Sequence, residues 1–143
     1  MKNFFVLIFI LNLTFGCVAL QKGSDDSFFE ELLLANLQDA PYTAHVKITR
    51  TERNKESYSD SGKVGYVIFK VHADVVETFR GASYSDIEYS VFLEAPSNGP
   101  RVGEEFIVSL YYSEEKDEYY IPDNGYALPV TDRLKNIARS GSR

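Results

Sequence analysis

Val64-Gly65-Tyr66-Val67-Ile68-Phe69-Lys70-Val71-His72-Ala73-Asp74-Val75-Val76-Glu77-Thr78-Phe79-Arg80-Gly81 is the stretch that decides the fold. Val67, Phe69, Val71, Ala73, Val75 and Phe79 share one register, with Glu77 as the one charged exception. Apolar side chains at a period of two are the mark of a half-buried strand, because successive side chains in a strand point to opposite faces. A strand this long bends, often at a bulge. Glu77 therefore marks a bulge, a strand end or a buried ion pair with Arg80 or Arg101. Arg80-Gly81-Ala82-Ser83 then turns the chain.

The same period continues on both sides. Upstream, Ala44, Val46 and Ile48 alternate with Thr43, His45, Lys47 and Thr49, which predicts a strand from Tyr42. Residues 54–63 are polar and contain Gly62, so they read as a loop. Downstream, Ile87, Tyr89, Val91 and Leu93 alternate with Glu88, Ser90, Phe92 and Glu94. Residues 96–103 hold two prolines and two glycines and form a loop. Phe106, Val108, Leu110 and Tyr112 make a fourth strand, and residues 119–121 a fifth. Between them, the charged run Glu114-Glu115-Lys116-Asp117-Glu118 is an exposed turn. Asn124-Gly125 is a further turn, since both residues tolerate positive φ, and residues 126–130 leave room for a short final strand.

Two helices flank the strands. Ser27 and Glu30 fit a capping box, and Phe29, Leu32, Leu33 and Leu37 fall on one face at helical spacing. Pro41 ends that helix and pushes Ala40 toward extended geometry. At the other end, Thr131 or Asp132 can cap a helix that turns Leu134 and Ile137 inward. The fold class is therefore mainly β. Five strands with flanking N- and C-terminal helices match a five-stranded OB-like Greek-key barrel, whereas a sandwich asks for about seven strands.

The N-terminus has the three parts of a secretory signal over residues 1–16: Lys2, the apolar run Phe4 to Leu11, and small residues at its end. The run is too short for a membrane span, which needs about 20 apolar residues. Gly16-Cys17 resembles a bacterial lipobox, with Thr14 and Phe15 departing from the usual residues. Cys17-Val18-Ala19 is a competing cleavage site that would start the mature chain at Leu20. Cys17 is the only cysteine, and a lone thiol is a liability in an oxidising compartment, which favours its lipidation. Residues 17–26 then form a tether, and residues 27–143 a single OB-like domain. The expected location is the cell envelope: a lipoprotein of the outer membrane or facing the periplasm, otherwise periplasmic or secreted.

The 143-residue chain has a net charge of −6, which becomes −7 when Lys2 leaves with the signal. That sign argues against nucleic acid and against an anionic lipid surface, both of which need concentrated basic charge. One cysteine allows no internal disulfide, so apolar burial alone must hold the core.

The segment ending Val75-Val76-Glu77-Thr78-Phe79-Arg80-Gly81 resembles the strand signature of netrin/TIMP-like domains. Arg101-Val102-Gly103-Glu104-Glu105-Phe106-Ile107-Val108 is similar to that family's glycine-led strand, and residues 120–132 resemble its closing hairpin. The resemblance spans residues 27–140 and implies an OB fold and, as one alternative, inhibition of an exported protease. The family's inhibitory Cys-x-Cys is absent, and acylation of Cys17 would remove the free amine that the mechanism uses.

No catalytic constellation stands out. His45 and His72 lie on the less apolar face of their strands, where they read as solvent-facing and as possible cross-strand neighbours. Two histidines fall short of the three ligands a catalytic zinc needs, so no metal and no cofactor is expected. Asp74 and Glu77 are three apart and so point to opposite faces of a strand. The chain has ten tyrosines and no tryptophan. Tyr111, Tyr119 and Tyr126 are the candidate binding patch, weighed against simple cross-strand aromatic pairing. The expected function is a non-enzymatic module that is tethered through an N-terminal lipid and binds a protein or peptide partner in the envelope. An inhibitor of an exported protease and an envelope hydrolase with an unrecognised site are the alternatives.

Overall fold

Two long antiparallel strands, β1 (Tyr42–Tyr58) and β2 (Val64–Arg80), carry the architecture. In this computed structural model, residues 22–58 and 60–141 are described. The expected signal, Cys17 and the first part of the tether lie outside them. Helix α1 (Lys22–Asp39) precedes the strands. β3 (Asp86–Glu94), β4 (Glu105–Ser113), β5 (Glu118–Ile121), β6 (Ala127–Pro129) and α2 (Asp132–Gly141) follow. Among the described residues, no helix is long and apolar enough to cross a membrane.

The sheet order is β1-β2-β3-β5-β4-β6, and β1 also pairs with β4. That pairing closes a ring of five strands. All its pairs are antiparallel except β3–β5, which is parallel. Residues Tyr42 to Lys47 of β1 bond β2 on one edge and β4 on the other. The sixth strand, β6, extends β4 outside the ring. The expectation of five strands thus becomes six, with five of them in the ring.

Alternation sorts the side chains into two cores. Ala44, Val46, Ile48, Val67, Val71, Tyr89, Val108 and Leu110 fill the inside of the ring. A second cluster lies outside it. Leu33 and Leu37 of α1 and Leu134 and Ala138 of α2 cover Ile107, Leu128 and Phe79. Fully burying a leucine-sized side chain contributes about 1.5–3 kcal/mol, so these few residues suffice to fix the helices on β4, β6 and the end of β2. Asn36 Nδ2 donates to the Gly125 carbonyl at 2.9 Å, and Arg80 donates to the Leu37 carbonyl at the end of α1. Thr131 is the cap of α2, its Oγ1 accepting from Leu134 N at 3.1 Å. Arg133 Nη2 donates to Glu30 Oε2 at 3.0 Å, tying the helices together.

Three local expectations need correction. The run 54–63, expected as a loop, is strand as far as Tyr58, with Lys55, Glu56 and Ser57 paired to Ile68, Val67 and Tyr66. Its polarity reflects an exposed hairpin arm rather than irregular backbone. Residues 22–26, expected as tether, belong to α1. Ser27 consequently sits inside the helix and not at a capping-box position. The run contains no proline, and a helix nucleated by the buried leucines propagates back through it at little cost.

The third correction concerns β2. Its register slips against β1 between His45 and Val46 and again between Thr43 and Ala44. Val76 and Phe79 are the extra residues. The bulges carry Phe79 out of the inner core and under the helices. Glu77 does mark a bulge, and its partner is neither Arg80 nor Arg101. Arg139 of α2 donates from Nε and Nη2 to its two carboxylate oxygens, each at 2.7 Å. The same slip puts Asp74 and Glu77 opposite Lys47 and His45, on one face rather than on two.

Gly81 ends β2 at φ +93, and a Cβ there would sit 2.8 Å from the Tyr42 ring and 3.0 Å from the Pro41 carbonyl. Gly62 in the hairpin turn also has positive φ, +73, with nothing within 4 Å of its Cβ position. Gly81→Ala is expected to cost about 2–4 kcal/mol, from left-handed strain plus overpacking. Gly62→Ala should cost about 1 kcal/mol, from strain alone. Urea denaturation measures both, and equal losses would contradict the Tyr42 contact.

Candidate functional site

With the helices packed on β4, β6 and the end of β2, the outer face of β3, β5 and the first part of β2 lies outside their cluster. The outward residues of β2 are Tyr66, Ile68, Lys70 and His72. The register places Glu94, Phe92, Ser90 and Glu88 of β3 beside them in turn. Tyr120 of β5 lies opposite Ser90. The face divides into a charged half and an apolar half.

The charged half satisfies itself. Lys70 Nζ is 2.8 Å from Glu88 Oε1 and 3.9 Å from Glu118 Oε2. Glu118 also accepts from Ser90 Oγ at 3.1 Å. His72 Nδ1 is 3.1 Å from Glu88 Oε2, while Arg50 Nη2 lies 2.9 Å from His72 Nε2. The arginine can only donate, so Nε2 accepts in that contact and Nδ1 is the ring nitrogen that faces Glu88. The hydrogen bond with Glu88 raises the Lys70 pKa, and the same bond holds the Glu88 carboxyl below its ordinary range. Ser90 is 1% exposed, with its proton directed to a carboxylate, so it is no accessible nucleophile.

The apolar half is centred on Phe92. Its ring borders three open depressions. One is walled by Lys116, Glu118, Tyr120 and Pro122. Another runs between Tyr66, Glu94 and Pro122. The third lies against Lys55, Tyr66 and Ile68. Tyr66 is half exposed, at 51%. Lys116 Nζ lies 5.7 Å from the Phe92 ring centroid, within cation–π range. Phe92, Tyr66 and Ile68 have no role in the sequence reading. Their signal there is three large apolar residues in the register that otherwise carries Lys70, His72, Glu88 and Glu94.

Two tyrosines of the expected patch, Tyr111 and Tyr126, meet, and the third, Tyr119, lies apart from them. Tyr111 packs against Tyr126 at 5.7 Å and Tyr120 at 6.2 Å between ring centroids. Tyr119 lies on the other face, against Tyr42, Tyr84 and Tyr112 at 5.6, 6.4 and 5.3 Å. Adjacent tyrosines on β4 and on β5 point opposite ways and so build two clusters. Tyr111, Tyr119 and Tyr126 are each half-buried. The Tyr119 pKa is pushed up to about 12, first by its hydrogen bond with Tyr84 and then by burial. Tyr111–Tyr120 and Tyr112–Tyr119 are cross-strand pairs, while Tyr126 and Tyr84 join them from outside the strands.

The histidines are far apart in register. His45 pairs with Glu77 and Ile107, and His72 with Arg50 and Glu88. His45 is not solvent-facing. It is 6% exposed, and its Nε2 is 2.8 Å from Glu105 Oε2. Among the described residues, no group of three or more His, Cys, Asp or Glu side chains converges as a metal site. No protein-family model and no curated protein matches this chain.

The Glu77–Arg139 pair links the sheet to α2 and gives a pH dependence. Hydrogen bonding from Arg139, the largest cause, lowers the Glu77 pKa, with burial opposing it. A depressed folded-state pKa means stability that is present above the unfolded carboxylate range and lost as pH falls through the folded value. Glu77→Gln should therefore flatten the loss of stability between about pH 5 and 3, read from urea midpoints. An unchanged slope would contradict the role of the pair.

Proposed function

We propose that this chain is an exported, lipid-tethered, non-enzymatic module that binds a protein or peptide on the face centred on Phe92. The observation that carries this reading is the placement of Tyr66, Ile68, Phe92 and Tyr120 together on the outer sheet face opposite the helices. Large apolar and aromatic side chains grouped on a rigid sheet are what a polypeptide partner uses as anchors. The ring of five strands with its one parallel pair supports an OB-like Greek-key barrel, a fold that offers the face of its second and third strands to ligands. That barrel is the one the netrin/TIMP-like resemblance implies. The resemblance adds no inhibitory mechanism, because Cys17-Val18-Ala19 lacks the second cysteine.

The non-enzymatic reading is supported by how the polar groups of the face are used. Lys70, His72, Glu88 and Glu118 hold one another, which stiffens the sheet beside the apolar half. A stiff, half-apolar surface binds with little ordering cost.

The test is affinity capture from the protein's own envelope with the full-length lipoprotein, followed by crosslinking mass spectrometry. Phe92→Glu is expected to lower recovery of the partner at least about tenfold, the size of effect that losing one anchor produces. Val76→Glu, at a 55% exposed site on β2 outside the face, should leave recovery unchanged. Equal recovery with both variants, at equal urea midpoints, would contradict the assignment.

A further inference from the structure

The charges around Phe92 restrict what can lie on it. The three depressions are bordered by five carboxylates, Glu56, Glu94, Glu115, Glu118 and Asp123, and by two cations, Lys55 and Lys116. Glu56 is held by Arg53 at 2.6 Å, and Glu118 by Ser90 and Lys70. Asp123 Oδ1 accepts from Gly125 N at 2.7 Å. Glu94 and Glu115 have no ion pair among the described residues. An acidic segment would meet net repulsion here. A wholly apolar one would strip water from unpaired carboxylates, which is costly.

The Phe92 ring already holds a cation. Lys116 reaches it from the exposed β4–β5 turn, with no other side-chain anchor for its Nζ among the described residues. We infer that the occupant of the Phe92 face is a cationic polypeptide segment, with lysine or arginine between apolar residues. Its charged head takes the place of Lys116 over the ring, and its neighbours rest on Tyr66, Ile68 and Tyr120. This inference rests on the binding-module reading and adds the chemical class of the partner. Lys116 is then a built-in competitor. It shields Phe92 while the face is empty and swings out on its turn when a better-anchored cation arrives. Glu94 and Glu115 pair with further basic residues of the segment. The net negative charge of the chain acts in the same direction, drawing basic partners at long range.

The experiment selects a random peptide display library on the immobilised full-length protein and counter-selects on Phe92→Glu. Enriched peptides are expected to carry lysine or arginine flanked by apolar residues. Lys116→Met, which removes the competitor, should tighten an enriched peptide about two- to fivefold, the value of one exposed cation–π contact. Binding should weaken as salt rises, because exposed charge pairs are screened. Enrichment of neutral or acidic peptides that still depend on Phe92 would overturn the cationic partner and leave the face intact. So would tighter binding of none of them to Lys116→Met. Absence of any Phe92-dependent peptide would overturn the face and the inference together.

Discussion

The structure depends on one strand being shared. Over Tyr42 to Lys47, β1 hydrogen-bonds to β2 on one edge and to β4 on the other. That double pairing turns a sheet into a ring, and a ring has an inside and an outside with different fates. Ala44, Val46 and Ile48 line the inside. Thr43 and His45 on the same strand alternate with them and are buried as well. Thr43 Oγ1 and Ser109 Oγ answer each other at 3.1 Å, and His45 finds Glu105, so the polar groups trapped there keep partners. β1 therefore has no free edge along this half and is buried on both faces from Tyr42 to Val46, and the opposite wall of the ring is where a free face remains.

The bulges in β2 make this arrangement possible. A regular β2 would aim Phe79 into the ring and Glu77 beside it. With Val76 and Phe79 as extra residues, Phe79 joins the helix layer and Glu77 meets Arg139. One apolar and one ionic contact then come from the end of a single strand and hold α2. The other end of β2 stays in register with β3 from Tyr66 to Asp74. It is this regular part that displays the apolar side chains of the outer face. The bulged half thus binds the helices and the regular half presents the surface.

Much of the fold is legible in the chain. Period-two alternation locates β1 to β4, because each has one apolar face that must be buried. Leu33, Leu37 and Leu134 announce the helix faces for the same reason. Pairing partners, and therefore ring closure, carry no local signal. Nor does the exposed arm at residues 50–58, where pairing without burial leaves a polar sequence that looks like a loop. The site was less legible than the fold. Ten tyrosines draw the eye, yet alternation within β4 and β5 divides four of them between two clusters, one with Tyr126 and one with Tyr42 and Tyr84. Phe92 stands alone in a polar register, and only the pairing of β3 with β2 brings Tyr66 and Ile68 to it. His45 misleads for a related reason: its strand position is outward, yet pairing with both β2 and β4 leaves it 6% exposed, a pairing not visible in its own sequence.

The central claim is that the helices cover one outer wall of the ring and leave the opposite wall open. Hydroxyl-radical footprinting of the full-length protein measures this directly, residue by residue. The structure predicts strong labelling of Tyr66 and measurable labelling of Phe92 and Ile68, with Leu33, Phe79 and Leu128 protected. Protection of Tyr66 and Phe92 together with labelling of Phe79 and Leu128 would place the helices on the other wall and contradict the account.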